Sequence, residues 1–134
     1  MNLVLVRGLP GSGKSTFAYE VAHGETSMHS WHHLEADMFF VNQKGQYIFD
    51  KSKIREAHEW CQMRCRILLE YGDTNIIVSN TFCEEWEVTP YRIMALNTKA
   101  CLSIITLQGD YGNIHNVPDE ALERMKARFD WNLK

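Results

Sequence analysis

The chain of 134 residues lacks an apolar run of membrane-spanning length at its start: Leu3 to Val6 breaks at Arg7-Gly8. A span needs about 20 apolar residues and a signal-peptide core at least about 7, so a cytoplasmic protein without a membrane partner is expected. It also lacks a basic excess. Fourteen Lys and Arg stand against seventeen Asp and Glu, for a formal net charge of -3, which argues against a protein that wraps nucleic acid in positive surface. A narrow basic groove is compatible with that balance. The four cysteines, Cys61, Cys65, Cys83 and Cys101, lack Cys-x-x-Cys spacing and read as reduced core thiols. His58, Cys61 and Cys65 could share one helix face, but no fourth ligand accompanies them, and a zinc site needs its full set. No segment is of low complexity.

What is present is an ordinary globular composition, 45% hydrophobic and 23% charged, on a length that can bury a core as one domain, residues 1–134. Asn2 to Arg7 has the Val/Leu-rich pattern of a strand buried on both faces. Lys14 to His23 reads as a helix with Phe17, Ala18, Val21 and Ala22 on one stripe and Gly24 as its stop. Trp31 to Ala36 is expected to be a second strand closing at Asp37. A long helix is expected from the N-cap Ser52 to Tyr71, burying Ile54, Ala57, Cys61, Cys65 and Leu68 or Leu69. Asn75 to Ser79 is a third strand, and Thr89-Pro90 supplies a cap and a first-turn proline for a helix reaching about Thr98. Cys101 to Leu107 is a fourth strand. After a polar loop, Val117-Pro118 opens a last helix carrying Ala121, Leu122, Met125 and Phe129. Such alternation implies an α/β fold, a small parallel sheet between helical layers with ligands at the carboxyl ends of the strands.

Between the first strand and helix, Gly8-Leu9-Pro10-Gly11-Ser12-Gly13-Lys14-Ser15 matches G-x-x-x-x-G-K-[ST], a phosphate-binding loop (P-loop) in the context the motif requires. Gly8, Gly11 and Gly13 let the backbone turn tightly and aim N–H groups inward at a helix N-terminus, where the dipole favours anions. Lys14 would reach the β and γ phosphates of ATP, and the Ser15 hydroxyl would ligate Mg²⁺. Ser12 belongs to the same cradle. Thr16 either touches an α-phosphate or hydrogen-bonds within the first helical turn.

Phosphoryl transfer to a hydroxyl needs a carboxylate from another strand end to take the proton. Asp37 is the first candidate for that base, and for a metal carboxylate beside Ser15; an N-cap role is its plain alternative. Glu35, two residues earlier on the same side of an extended strand, is the runner-up, with a solvated charge as its simpler reading. The third strand ends Ile76-Ile77-Val78-Ser79-Asn80 without a carboxylate, which speaks against a motor-type ATPase.

These residues resemble the P-loop 5′-hydroxyl polynucleotide kinases of phages and related P-loop domains. The likeness rests on Arg7 to Thr16, Ala36-Asp37-Met38-Phe39-Phe40, Ala57-His58-Glu59-Trp60 and Ile77-Val78-Ser79-Asn80-Thr81. It continues through Trp86-Glu87, Pro90-Tyr91 and Asn113-Ile114-His115-Asn116-Val117-Pro118. The resemblance implies a P-loop NTPase or nucleoside-kinase-like three-layer sandwich in which Lys14 and Ser15 hold ATP and Mg²⁺. It implies Asp37 as general base toward a sugar hydroxyl at a nucleic-acid 5′ end, with Ser79, Asn80 and Thr81 lining the acceptor side. A small-molecule hydroxyl acceptor, such as a nucleoside, nucleotide or metabolite, and an ATP-binding regulatory module are the alternatives.

Two positions depart from that family. Phe40 stands where an Arg follows the base by three residues, and Tyr111-Gly112-Asn113-Ile114-His115 stands where a lid offers Arg. Either His115 or Asn113 substitutes, another Arg such as Arg7 or Arg92 reaches in, or transfer is slow. His58 is either a packing histidine or part of the site. Lys51, Arg55 and Arg66 approximate one helix stripe, either a solvated face or a track for a nucleic-acid backbone.

Overall fold

The computed structural model describes residues 1–24, 31–72, 74–112 and 117–134. Strand β1 (Asn2–Arg7) leads through the glycine loop into helix α1 (Lys14–His23), and β2 (Trp31–Leu34) runs into a 3-10 turn, Ala36–Phe40. Helix α2 (Ile54–Tyr71), β3 (Asn75–Ser79), α3 (Glu85–Thr98), β4 (Cys101–Thr106) and α4 (Asp119–Arg128) complete the order. All pairings are parallel in the order β2-β3-β1-β4. The sheet is flanked by helices, as the alternating sequence implies.

Side-chain alternation along the central strands feeds two cores. Leu3, Leu5, Ile76 and Val78 pack with Ala57, Cys61, Cys65 and Leu69 of α2 and with Val88, Tyr91 and Met94 of α3. Val6 and Ile77 point the other way, onto Ala18 of α1. Both faces of β1 and β3 are therefore dry, and their carboxyl ends at Arg7 and Ser79 open together toward the glycine loop.

Several element boundaries differ from expectation. Strand β2 stops at Leu34 because Ala36 gives its N–H to the Asn80 side chain, 2.9 Å away, and the chain turns there. Helix α2 is preceded by a 3-10 turn, Lys51–Lys53, capped by Asp50; Ser52 donates to that cap rather than serving as one, and Ile54, at the helix start, is exposed. Helix α3 begins at Glu85, with Glu84 and Glu87 forming a capping box. Pro90 is then the sixth residue of the helix, where its missing N–H costs one hydrogen bond, to the Trp86 carbonyl. Phe129 falls just beyond α4 and is buried. Cys61, Cys65 and Cys83 are buried free thiols, but Cys101 is exposed at the start of its strand. Among the described residues no helix is long and apolar enough to cross a membrane.

Candidate functional site

The glycine loop is held by its own backbone and by its neighbours. Gly8 donates its N–H to the Thr81 carbonyl at 3.2 Å, and Ser12 to that of Leu9 at 3.0 Å. Gly11 and Gly13 have φ of +84° and +90°, the left-handed region that favours glycine. A Cβ on Gly11 would strike the carbonyl of Gly112, and the Tyr111 N–H donates to the Gly11 carbonyl at 2.7 Å, so the chain after β4 lies against the loop.

Gly13 is the N-cap of α1 and offers no side chain to its first turn. The orphan donors of that turn are left to a ligand. The Ser12 hydroxyl is buried without a hydrogen-bond partner among the described residues, a cost that a ligand oxygen would relieve. Lys14 rests its ammonium on the Leu9 carbonyl at 3.3 Å. Burial lowers its pKa, while Glu35 and Asp37 act in the opposite direction. These donors fit a polyphosphate. Thr16 is exposed on the first turn of α1.

Opposite the loop stand two carboxylates with different partners. Glu35 is not a solvated charge: the Ser15 hydroxyl donates to its Oε2 at 2.8 Å, and its side chain is 18% exposed. Its other oxygen lies 3.5 Å from Nε2 of His33, which also meets the Ser79 hydroxyl at 2.8 Å. Burial, reinforced by His23, pushes the His33 pKa down to about 4, so a neutral imidazole backs Glu35 at neutral pH.

Asp37 lies in the 3-10 turn rather than at a strand end, and Glu35 holds the N-cap position. The Tyr47 phenol donates to Asp37 Oδ1 at 3.1 Å; burial and then Asp37 itself push the Tyr47 pKa up to about 12. Buried Asn80 pins the turn by accepting from Ala36 while its own N–H donates to the Val6 carbonyl at 3.3 Å. Among the described residues no cluster of three His, Cys, Asp or Glu could hold a metal by itself. The Ser15 hydroxyl and one or two carboxylates instead fit Mg²⁺, which typically takes few protein ligands and completes its shell with phosphates and water.

A cleft of about 420 Å³ joins these groups. Lys14, Ser15, Glu35 and Asp37 share it with Ser79, Asn80 and Thr81. His58 lines it too, its pKa lowered by burial. Phe40, Tyr47 and Phe49 also line it, as do Met125 and Arg124 of α4. Arg124 has no ion pair among the described residues.

The basic stripe on α2 is divided. Lys51 lines the cleft, whereas Arg55 pairs with Glu59 and Arg66 is exposed elsewhere on the helix. Neither arginine expected to reach inward does so. Arg7 is wholly buried, donating to the carbonyls of Phe82 and Cys83 and to Thr106, and Arg92 is held by Glu85 and the Lys134 carbonyl. Asn113 and His115 lie outside the described residues. Sequence reasoning missed His33, Tyr47, Phe49 and Arg124. Only Arg124 left a readable signal, since it follows Ala121 by three residues and so shares a helix face with it.

Comparison with known proteins agrees with the fold. Residues 3–110 match the family model described as an AAA domain. The human NEDD4-binding protein 2 is 37% identical over 138 residues, covering 95% of this chain; the chain spans only 8% of that protein's length. Among solved structures, the Pnkp1/Rnl/Hen1 complex superposes with a TM-score of 0.63 at 22% identity, over 99% of this chain and 40% of the matched one. The APS kinase CysC of Mycobacterium tuberculosis, solved with AMPPNP and APS, gives 0.57 at 17% identity, over 92% and 66%. These likenesses show a P-loop kinase-like fold.

Proposed function

The chain belongs to the AAA domain family, and on that premise we propose an ATP-dependent kinase that transfers the γ-phosphoryl group to the 5′-hydroxyl of a polynucleotide. The observation that carries this reading is one cleft lined by Lys14, Ser15, Glu35 and Asp37 together with Arg124 and aromatic rings. Gly8, Gly11, Ser12, Gly13 and Thr16 belong to the loop and helix start that hold the phosphates, and Lys14 adds a cation of lowered pKa. ATP, when bound with Mg²⁺, supplies the phosphoryl group and an ion that neutralises phosphate charge.

Ser15 offers the metal its hydroxyl, and Glu35, which already accepts from that hydroxyl, orients it. Asp37, the other carboxylate lining the cleft, serves the metal or takes the acceptor's proton; it already accepts a bond from a phenol, which supports the approach of a hydroxyl. Arg124, which lines the cleft, offers a positive charge in place of the lid arginine of the kinases that the sequence resembles. The polynucleotide is favoured by the sequence resemblance and by the presence of Lys51 and Arg124 alongside aromatic side chains in the lining of the cleft.

Radiolabelled ATP offered with 5′-hydroxyl oligonucleotides, 5′-phosphorylated oligonucleotides and nucleosides tests the reading. Label should appear on the 5′-hydroxyl ends alone. Transfer only to nucleosides would move the assignment to a small-molecule kinase, and tight ATP binding with no transfer would refute a kinase. Asp37→Asn should lower transfer by about 10²–10⁴ while the Kd for ATP stays within about twofold, because the proton acceptor goes and the phosphate cradle stays.

A further inference from the structure

Residues 41–50 are exposed throughout and fold back at the mouth of the cleft. A bridge between Val41 and Tyr47 and a 2.8 Å bond from the Ile48 N–H to the Phe40 carbonyl hold this excursion. A solvent-facing turn of this kind is ordinarily polar. Here Tyr47 is 54%, Ile48 59% and Phe49 51% exposed.

The two aromatic rings are not loose. Both pack edge-on against buried Phe40, with centroids 6.3 Å (Tyr47) and 5.1 Å (Phe49) away. Tyr47 is fixed at its other end by the bond to Asp37. The same cleft presents Lys51 and Arg124. Held aromatic rings, two cations and a carboxylate that already accepts from a hydroxyl match the parts of one ligand: a planar base, flanking phosphodiesters and a terminal sugar hydroxyl.

We propose that Tyr47 is the acceptor-selecting residue of this site, its phenol occupying the Asp37 oxygen that the acceptor hydroxyl needs and its ring packing on the base of the 5′-terminal nucleotide. The inference rests on the reading of Asp37 as the group that meets the acceptor hydroxyl. The phenol is a built-in competitor, displaced only by an acceptor that brings both a hydroxyl for Asp37 and a base for the ring. A sugar or small alcohol offers the first without the second. Water offers neither a ring partner nor the phosphodiesters that Lys51 and Arg124 would hold, so the same contact limits wasteful hydrolysis.

Binding of a fluorescein-labelled 5′-hydroxyl oligonucleotide in the presence of AMPPNP and Mg²⁺, read by anisotropy, tests this without relying on turnover. The second probe is the same oligonucleotide with an abasic 5′-terminal residue. Tyr47→Phe, which keeps the ring and deletes the competing hydroxyl, should tighten the intact oligonucleotide about threefold to tenfold. Tyr47→Ala should weaken it about tenfold or more. The abasic probe should bind the wild type about tenfold less well than the intact one, and the Ala variant should not distinguish the two.

A wild type that binds both probes equally, or binds neither, overturns the assignment, as does an Ala variant that still discriminates between them. Discrimination in binding with no phosphoryl transfer would instead sink the kinase reading and leave Tyr47 as a nucleotide-binding residue.

Discussion

Replacing Arg7 separates a structural arginine from a catalytic one. Its guanidinium, fully buried, donates from Nε to the Phe82 carbonyl at 2.8 Å, from Nη2 to the Cys83 carbonyl at 3.1 Å and from Nη1 to Thr106 Oγ1 at 3.2 Å. Its carbon centre lies 4.2 Å from the Phe129 ring centroid. Burial lowers its pKa and Asp130 opposes that shift; a guanidinium is basic enough to stay charged in a protein. Phe82 carries a φ of +46°, a strained conformation for a bulky residue that the bond from Arg7 helps to hold.

Arg7→Met fills similar space but leaves the buried Phe82 carbonyl without this donor, at about 1–3 kcal/mol, loses about 0.5–1.5 kcal/mol each at Thr106 and at the Cys83 carbonyl, which keeps the Asp130 N–H, and loses about 1–2 kcal/mol of cation–π attraction. Relief from burying a charge offsets part of this. The net expectation is about 3–5 kcal/mol lost from a total that for such chains is about 5–15 kcal/mol. Arg7→Lys should lose less but still a substantial part, because an ammonium cannot bridge two carbonyls as a planar fork does. Urea unfolding followed by circular dichroism measures both. A loss under about 1 kcal/mol for Arg7→Met, accompanied by collapse of phosphoryl transfer, would refute the strut and return Arg7 to the active site.

Gly11→Ala should weaken ATP binding about tenfold or more by calorimetry, since the new Cβ meets the Gly112 carbonyl at a φ of +84°; unchanged affinity would mean that the loop does not hold phosphate in this shape. Glu35→Gln should raise the Mg²⁺ concentration for half-maximal activity about tenfold, because Ser15 loses its charged acceptor, and an unchanged Mg²⁺ requirement would reduce Glu35 to loop packing. His33 predicts an acid limit. With a folded pKa of about 4 against an ordinary value of about 6.5, the unfolded chain binds the proton first as pH falls. The stability contributed by neutral His33 is complete above about pH 6.5 and is lost toward pH 4, by at most about 3 kcal/mol. Metal-free urea midpoints for wild type and His33→Asn should diverge in slope across that window; parallel curves would contradict the burial argument.

The parts of the fold that were legible are those set by local pattern. Asn2–Arg7 and Lys14–His23 follow from an apolar run, a glycine loop and a terminal glycine, all within a few residues of the boundaries they set. Helix α3 shows where local signals compete. Thr89-Pro90 looks like a helix start, but the Glu84–Glu87 capping box and the burial of Val88 on the inner face of α3 reward starting more than a turn sooner. A proline this close to the N-terminus removes a single bond, too little to prevent it. Ile54 fits the apolar stripe of α2 by spacing, yet α2 begins there, with the Asp50-capped 3-10 turn before it, and the side chain remains exposed.

The site divides along the same line. Lys14, Ser15 and Asp37 were readable because a motif and an acid at the end of a short apolar segment lie close in sequence, and the structure brings all three to one cleft. The company they keep was not readable, because it depends on contacts across the sheet: His33 meets Ser79 at a separation of 46 residues, and Ala36 meets Asn80 at 44. That second contact also explains why alternation misjudged the two carboxylates. Extended backbone through Ala36 would have put Glu35 and Asp37 on the same side as near-equivalents. By capturing the Ala36 N–H, Asn80 ends the ladder between them, leaving Glu35 extended toward Ser15 and rotating Asp37 into a turn that faces Tyr47. A single buried amide thus separates a carboxylate that accepts from the Ser15 hydroxyl from one that accepts from the Tyr47 phenol.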